Sequence, residues 1–330
     1  MSGITRASII VCTAGTRAFV VDCLHALQRQ SIKVEIIVVG PQPALDRFQK
    51  RELKDLTRFV LSNNQNLNEA RNLGAKYAKT DFLLYIDDDA IADFYWAESL
   101  RSSLVENYDI CGGRTLTNDS IHAEWNDATI SPFGRGFSSK EFSTPESNGI
   151  ANRTVAGNNF GIRRNSLVKI GGFDQTFRVF DDETDLCFRA ASEGMKIGFN
   201  KKAVVHHYSI ESDLRRTDLV PTAMFRPWVS RSFFAIRHGV IDSLGSLSMG
   251  IEAISQEIDF TFKYLDGLYF SELITKQNLE RLKSEILNGA EAGLSLALQH
   301  LSHNFGNMPH LSLFVNSNLP QGKVFEGKIE

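Results

Sequence analysis

Residues 82–89 read FLLYIDDD, an apolar run, 82–86, that ends on three consecutive aspartates, Asp87, Asp88 and Asp89. Five apolar residues bounded by charge predict a short buried strand. Three adjacent carboxylates at its end repel one another unless a cation or water compensates them. A hard divalent ion such as Mg²⁺ or Mn²⁺ fits that need, because it takes carboxylate oxygens and accepts phosphate oxygens as well. Strand alternation sends Asp87 and Asp89 toward one place and Asp88 elsewhere. The competing reading is an acidic turn that caps a helix near Ala92, since Asp is common at helix starts.

Upstream of that run, apolar strand patterns alternate with helical ones. Residues 7–12 (ASIIVC) and 34–39 (VEIIVV) are β-branched runs, and 58–61 is a third candidate strand. Residues 19–30 and 67–78 have apolar positions at helical spacing, and a short polar helix is expected from Ala44. The alternation predicts an α/β fold, a mostly parallel sheet flanked by helices on both faces. In such sheets ligands sit beyond the carboxyl ends of the strands, where the aspartates fall.

Downstream, residues 131–159 are rich in Gly, Ser and Asn and predict a long loop. A second acidic cluster, Asp181, Asp182, Glu183 and Asp185, precedes a helical pattern over 186–193. One carboxylate there is placed to take a proton from an acceptor hydroxyl; Thr184 or Asp185 capping the helix is the structural alternative. Gly171-Gly172-Phe173-Asp174 reads as a tight turn with an aromatic plug. Asn158 and Asn159, in GNNFG, carry amides suited to sugar hydroxyls. The run Ala203-Val204-Val205 ends on His206-His207, and neutral imidazole is a good Mn²⁺ ligand.

Beyond Ser209 the texture changes. Leu279, Leu282, Ile286, Ala290, Leu294 and Ala297 recur at helical spacing, so 227–301 is predicted helical and the stretch from Ser302 irregular. The expected division is a catalytic domain over 1–210 and a mainly helical extension over 211–330. With 36 Lys and Arg against 39 Asp and Glu, the net charge of −3 does not point to a nucleic-acid partner. Cys12, Cys23, Cys111 and Cys187 are far apart, without metal-knuckle spacing, and read as reduced thiols of a cytoplasmic protein. Residues 1–10 lack a secretory pattern. The weakly polar stretch 238–254 is interrupted by Asp242, Gly245, Gly250 and Glu252, which makes it a poor membrane span.

Four blocks, in order, resemble the family 2 glycosyltransferases of the GT-A fold. They are SIIVCTAGTRAFVVDCL (8–24), NEARNLGAKYAKTDFLLYIDDD (68–89), the GNNFG-to-DETDL stretch (157–186) and VVHH (204–207). The resemblance covers roughly 7–210 and implies a Rossmann-like GT-A sheet with a C-terminal helical extension. It implies that Asp87 and Asp89 form a DXD motif that binds the donor ribose and a Mn²⁺ or Mg²⁺ ion, with Asp89 the direct ligand. His207 or His206 would complete the metal site. Thr13, Ala14, Gly15 and Arg17 would form the donor loop, with Asn68, Arg71 and Asp88 beside it. Asn158, Asn159, Gly172 and Phe173 fall in the acceptor block. The base would be Glu183, where the family has Asp, or its neighbour Asp182.

A second departure is Val39-Gly40-Pro41-Gln42-Pro43, where the family usually shows V-D-D-G-S and its Asp reads the base. The activity implied is inverting transfer of a sugar from a nucleotide-sugar, UDP favoured with dTDP or GDP as alternatives, to an acceptor hydroxyl. The acceptor would be a glycan, a lipid-linked saccharide or another hydroxyl compound, in bacterial polysaccharide or glycoconjugate synthesis. The setting would be the cytoplasm or the inner face of the membrane. The C-terminal helices are compatible with a homodimer, with peripheral membrane association or with a cover over the acceptor site. A catalytically silent carbohydrate-binding scaffold is the principal alternative. A nucleotidyltransferase ranks below it, because residues 13–17 hold a single glycine, and a dehydrogenase lower still, because no G-x-G-x-x-G follows the first strand.

Overall fold

The computed structural model describes residues 7–15, 19–49, 58–62, 66–117, 122–138, 151–208, 210–242 and 245–304. The chain begins with β1 (Ala7–Cys12), α1 (Val20–Gln28), β2 (Val34–Gly40), α2 (Gln42–Gln49), β3 (Arg58–Leu61), α3 (Leu67–Tyr77) and β4 (Phe82–Asp87). It continues with β5 (Ala90–Ala92), α4 (Trp96–Glu106), β6 (Ile110–Thr117), β7 (Ala123–Trp125), β8 (Ala128–Ile130), β9 (Gly136–Ser138), β10 (Asn152–Thr154) and β11 (Asn159–Arg163). Then come α5 (Arg164–Lys169), α6 (Asp182–Ser192), β12 (Ile197–His207), α7 (Phe225–Ile236), a π-helical turn (Arg237–Asp242), α8 (Leu247–Phe270) and α9 (Lys276–Asn304).

The main sheet has the order β3-β2-β1-β4-β11-β6-β12-β5, with β7 paired to β6. β3, β2, β1 and β4 are parallel, and β12 is parallel to β6. β11 runs antiparallel to both neighbours. The small sheet β10-β8-β9 replaces part of the long loop expected over 131–159, of which 139–150 lie outside the described residues.

Alternation splits the strands between two cores. Ile9, Val11, Leu84 and Ile86 pack with Leu24 of α1 and Trp96 and Leu100 of α4. Ile10, Leu83, Tyr85 and Phe160 pack on the other face with Ala70 of α3 and Leu186 of α6. A third cluster joins Phe177 and Phe188 to Trp228, Phe233, Leu282 and Ile286, so the C-terminal helices share a core with α6 across the boundary expected at residue 210.

Three local readings change. No helix starts at Ala92: the aspartates run into β5, and α4 begins at Trp96. α6 begins at Asp182, four residues before the predicted start, so its acids occupy the first turn, where the helix dipole favours them. β6 escaped the sequence reading because Gly112-Gly113 resembles a turn. Both glycines are packing requirements. A Cβ on Gly113 would stand 2.1 Å from the Ala203 carbonyl oxygen, and one on Gly112 2.9 Å from the Val155 side chain.

Candidate active site

The site grows from the carboxyl end of β4. Its parallel neighbour β1 ends level with it, Cys12 opposite Asp87, so the residues after both strands meet at one edge. β5 pairs antiparallel with β12, with Ala90 opposite His207, and this register brings Asp89 against the imidazole. Asp89 is buried, and its Oδ1 lies 3.2 Å from His207 Nε2; Nδ1 of the same ring lies 2.8 Å from Oε2 of Glu124 on β7. One ligand atom each from Asp87, Asp89 and His207 lies within 4.8 Å of the others. Asp88 points elsewhere, accepting a hydrogen bond from Thr13 Oγ1 at 2.6 Å.

The two histidines separate. His206 lies 3.0 Å from Asp93 Oδ1, on the opposite face of β12, and is not part of the cluster. The period of two in a strand makes adjacent residues diverge, so only one of the pair reaches the corner. Burial alone would lower the His207 pKa, but hydrogen bonds to Asp89 and Glu124 raise it to about 10. The ring thus stands between two carboxylates, one at each nitrogen. Two carboxylate oxygens and an imidazole nitrogen converging on one point are a donor set that fits Mn²⁺ or Mg²⁺. Glu124 went unread in the sequence, where an isolated acid in a polar stretch carries no periodic signal.

The loop after β1, expected to meet the donor, is tied to the neighbouring strand ends. The Thr13 amide donates to Val39 O at 2.9 Å, and the Gly15 amide to Thr13 Oγ1 at 3.0 Å. Gly15 has φ +76, and a Cβ there would meet the Ala44 backbone at 2.8 Å, so glycine is required twice over. Ala14 is exposed, while Arg17 lies outside the described residues. At Gly40, where the family's aspartate was expected, a Cβ would stand 2.6 Å from the Thr13 carbonyl oxygen. The close approach of the two strand ends leaves no room for a side chain.

α3 starts at the Asn66 cap, whose side chain accepts from the Asn68 amide, and it carries Arg71 into the site. Arg71 is buried and pairs with Asp182 of α6. Its Nη2 donates to Gly157 O at 3.1 Å and lies 3.7 Å from Asp87 Oδ1. One guanidinium thus spans the Asp87 corner, the acid pair and the turn before β11. Glu183, half-buried, faces the same turn. A Cβ on Gly157 would stand 2.9 Å from Arg71 Nη2 and 3.3 Å from the Glu183 carboxylate. Burial, with the Asp182 carboxyl alongside, pushes the Glu183 pKa well above the ordinary range.

Residues expected to meet the acceptor turn inward instead. Asn159 is fully buried: it accepts from Trp96 Nε1 at 2.8 Å and donates to the carbonyls of Arg114 and Ala203. Asn158 is buried and accepts from Thr115 Oγ1 at 2.9 Å. Phe173 is a core ring, 5.3 Å from Tyr85 and 6.2 Å from Phe160, with the Arg71 guanidinium 5.4 Å above it. Gly172, at φ +79, lets the turn close on Asn72. Asn68, expected beside the donor, is also buried and donates to the carbonyls of Asp174 and Phe177. The amide hydrogens of Asn68 and Asn159 and the side-chain oxygens of Asn158 and Asn159 are thus spent on internal partners.

Residues 8–171 match the family model described as glycosyl transferase family 2. The chain is 24% identical over 230 residues to the glucosyl-dolichyl phosphate glucuronosyltransferase of Haloferax volcanii, covering 62% of this chain and 70% of that protein. It is 31% identical over 102 residues to EpsH of Bacillus subtilis, where it spans only 30% of that protein's length and 29% of its own. The solved structure of S. aureus TarS 1-349 in complex with UDP-GlcNAc superposes with a TM-score of 0.51 at 11% identity, covering 90% of this chain and 92% of that one. That likeness is one of fold. With the family match running through both the loop after β1 and the strand-end aspartates, the chain belongs to the family 2 glycosyltransferases and has their GT-A fold.

Proposed function

We propose that this glycosyltransferase is inverting and divalent-cation-dependent, and that it moves a sugar from a nucleoside-diphosphate donor, UDP favoured, to an acceptor hydroxyl. The observation that carries this reading is the convergence of Asp87, Asp89 and His207 within 4.8 Å, bridged by Arg71 to the acid pair on α6. Asp87, Asp89 and His207 would hold Mn²⁺ or Mg²⁺. Bound there, the cation supplies positive charge that offsets the charge gathering on the leaving diphosphate.

The chain's own residues do the rest. Thr13, Ala14 and Gly15 cradle the nucleotide at the ends of β1 and β2. Arg71 engages Asp182, which leaves Glu183 as the carboxylate that takes the acceptor proton. Its raised pKa brings it nearer the working pH, where a general base is most effective. The acceptor oxygen bonds to the anomeric carbon as the bond to the diphosphate oxygen breaks, and attack from the far face inverts that centre. Residues 1–210 would provide this chemistry and 211–330 would brace it.

Two neighbours suggest where to begin. TarS 1-349 holds UDP-GlcNAc, which supports testing UDP-sugars first. The archaeal relative is named for a glucosyl-dolichyl phosphate, which supports a lipid-linked saccharide as the first acceptor class. Action at the inner face of a membrane, in polysaccharide or glycoconjugate synthesis, accords with such an acceptor. Among the described residues, no helix is long and apolar enough to cross a membrane.

The test is a thermal-shift panel of UDP-, dTDP- and GDP-sugars with and without Mn²⁺. At free ligand about 100 times Kd, mass action adds about 2.7 kcal/mol, and the melting temperature should rise for one nucleotide class only when Mn²⁺ is present. A shift that ignores the metal sinks the metal reading, and no shift with any nucleotide sinks the donor reading. Release of nucleoside diphosphate in the presence of acceptor separates an enzyme from a silent scaffold.

A further inference from the structure

The first turn of α6 is held from a side the proposed chemistry does not use. Asp185 is fully buried. Its Oδ2 accepts from Arg189 Nε at 2.8 Å, and its Oδ1 lies 3.0 Å from His238 Nε2 and 3.2 Å from Arg237 Nη1. Arg237 also pairs with Asp174 of the GGFD turn. His238 Nδ1 lies 2.8 Å from Asp242 Oδ2, one turn further along the π-helical segment. The imidazole is buried, with its centroid 4.9 Å from the Phe188 ring of α6 and 4.7 Å from the Phe234 ring of α7.

Asp182 and Asp185 stand three residues apart, on one strip of the helix. Arg71 grips the first from the sheet side; Arg237 and His238 grip the second from the C-terminal side. A helix pinned at two points on one strip can neither roll nor slide, and Glu183 projects from another face toward Gly157. The entry to α6 needs such anchors. Phe180 and Asp181 take φ of +60 and +59, consecutive left-handed conformations in non-glycine residues. Such strained conformations persist only where surrounding structure enforces them.

We infer that His238 is a positioning residue for the acid pair, and that the C-terminal helices are therefore a working part of the transfer site. The inference rests on the reading of Glu183 as base. It does not depend on the metal corner, whose ligands lie on β4, the turn that follows it, and β12.

The test contrasts two isosteric variants in the full chain. The amide of His238→Gln reaches the position of Nε2 and keeps the bond to Asp185; that of His238→Asn reaches the position of Nδ1 and keeps only the bond to Asp242. The expected result is that His238→Asn lowers kcat about tenfold or more, since small misplacements of a catalytic group are that costly. Its donor KM and its affinity for Mn²⁺ with UDP should stay within about twofold, and His238→Gln should restore kcat to within about threefold of wild type. Equal losses in the two variants, an unchanged His238→Asn, or loss of donor affinity in step with kcat would each overturn the inference. If His238→Asn does not fold by circular dichroism, a folded His238→Gln decides alone: near wild-type kcat supports the inference, and an inactive protein overturns it. Glu183→Gln runs in parallel. If it turns over normally the base assignment fails by itself, whereas an inactive Glu183→Gln beside a fully active His238→Asn removes only the positioning role.

Discussion

Two clusters of buried aspartates sit on either side of the proposed reaction centre, and they are built to opposite plans. At the strand edge, Asp89 faces Glu124 across one imidazole, and Asp87 converges on the same spot while remaining partly open. At α6, Asp185 is sealed and met by Arg189, Arg237 and His238. The difference shows in protonation. Against the cost of burial, His238, Arg237 and Arg189 hold the Asp185 carboxyl down at about 2. At the other cluster it is His207 that moves, up to about 10, because carboxylates flank it on both sides. Acids that face cations within the protein serve as struts, whereas the acids that flank the His207 ring make the corner proposed to receive a cation.

That comparison breaks most readily at Asp89. Replacing it with alanine removes the buried ligand and should cost transfer about 10³-fold or more, with no Mn²⁺-dependent rise in melting temperature remaining. An Asp89→Ala protein with wild-type turnover in Mn²⁺ would contradict the receptor role.

Next in size is Glu183→Gln, expected to lose about 10²–10⁴-fold in kcat with unchanged donor affinity. If Asp182→Asn is inactive while Glu183→Gln is not, the base is Asp182 and Arg71 tunes it directly. Smaller again is Gly157→Ala. Its methyl group would crowd both Arg71 and Glu183, and the expected loss in kcat is about tenfold, with a melting temperature close to wild type. Unaltered kinetics would mean that Arg71 and Glu183 need not be held by that turn.

The smallest effect sharpens the strut side. Burial opposes charging of His238, but Asp185 and Asp242 raise its pKa. A raised histidine adds stability that is complete below its unfolded pKa of about 6.5 and is lost as pH rises through the folded value. Asp185, with its pKa lowered, adds stability above about 3.8 that is lost as pH falls toward 2. The melting-temperature gap between wild type and His238→Gln should therefore be widest near pH 6, about 2–4 °C for a chain of this size, and should narrow as pH rises through the raised value. A gap that widens with pH would show that His238 is neutral in the folded protein.

Particular residues show how far the amino-acid pattern reaches. The β1, β2 and β4 runs, the α3 helix with Arg71, and the aspartates at the end of β4 were all legible, because apolar periodicity reports burial directly. β6 was not, since Gly112 and Gly113 serve contacts with Val155, Asn159 and Ala203 that local composition does not encode. Asn159 was read as an amide suited to a sugar hydroxyl because amides suit surface and interior alike; only its partners, Trp96 among them, show it to be internal.

By itself the sequence determined the strands β1, β2 and β4, the helices α1 and α3, and that acids crowd the end of β4 and the start of α6. Those properties depend on neighbours one to four positions away. The tertiary structure decided which of His206 and His207 meets Asp89, 118 residues distant, and that Arg71 reaches Asp182 across 111. It also decided that His238, 53 residues beyond Asp185, closes on α6. Strand register and helix packing set those meetings, and a register shift of a single residue would turn His207 away from the corner and His206 into it.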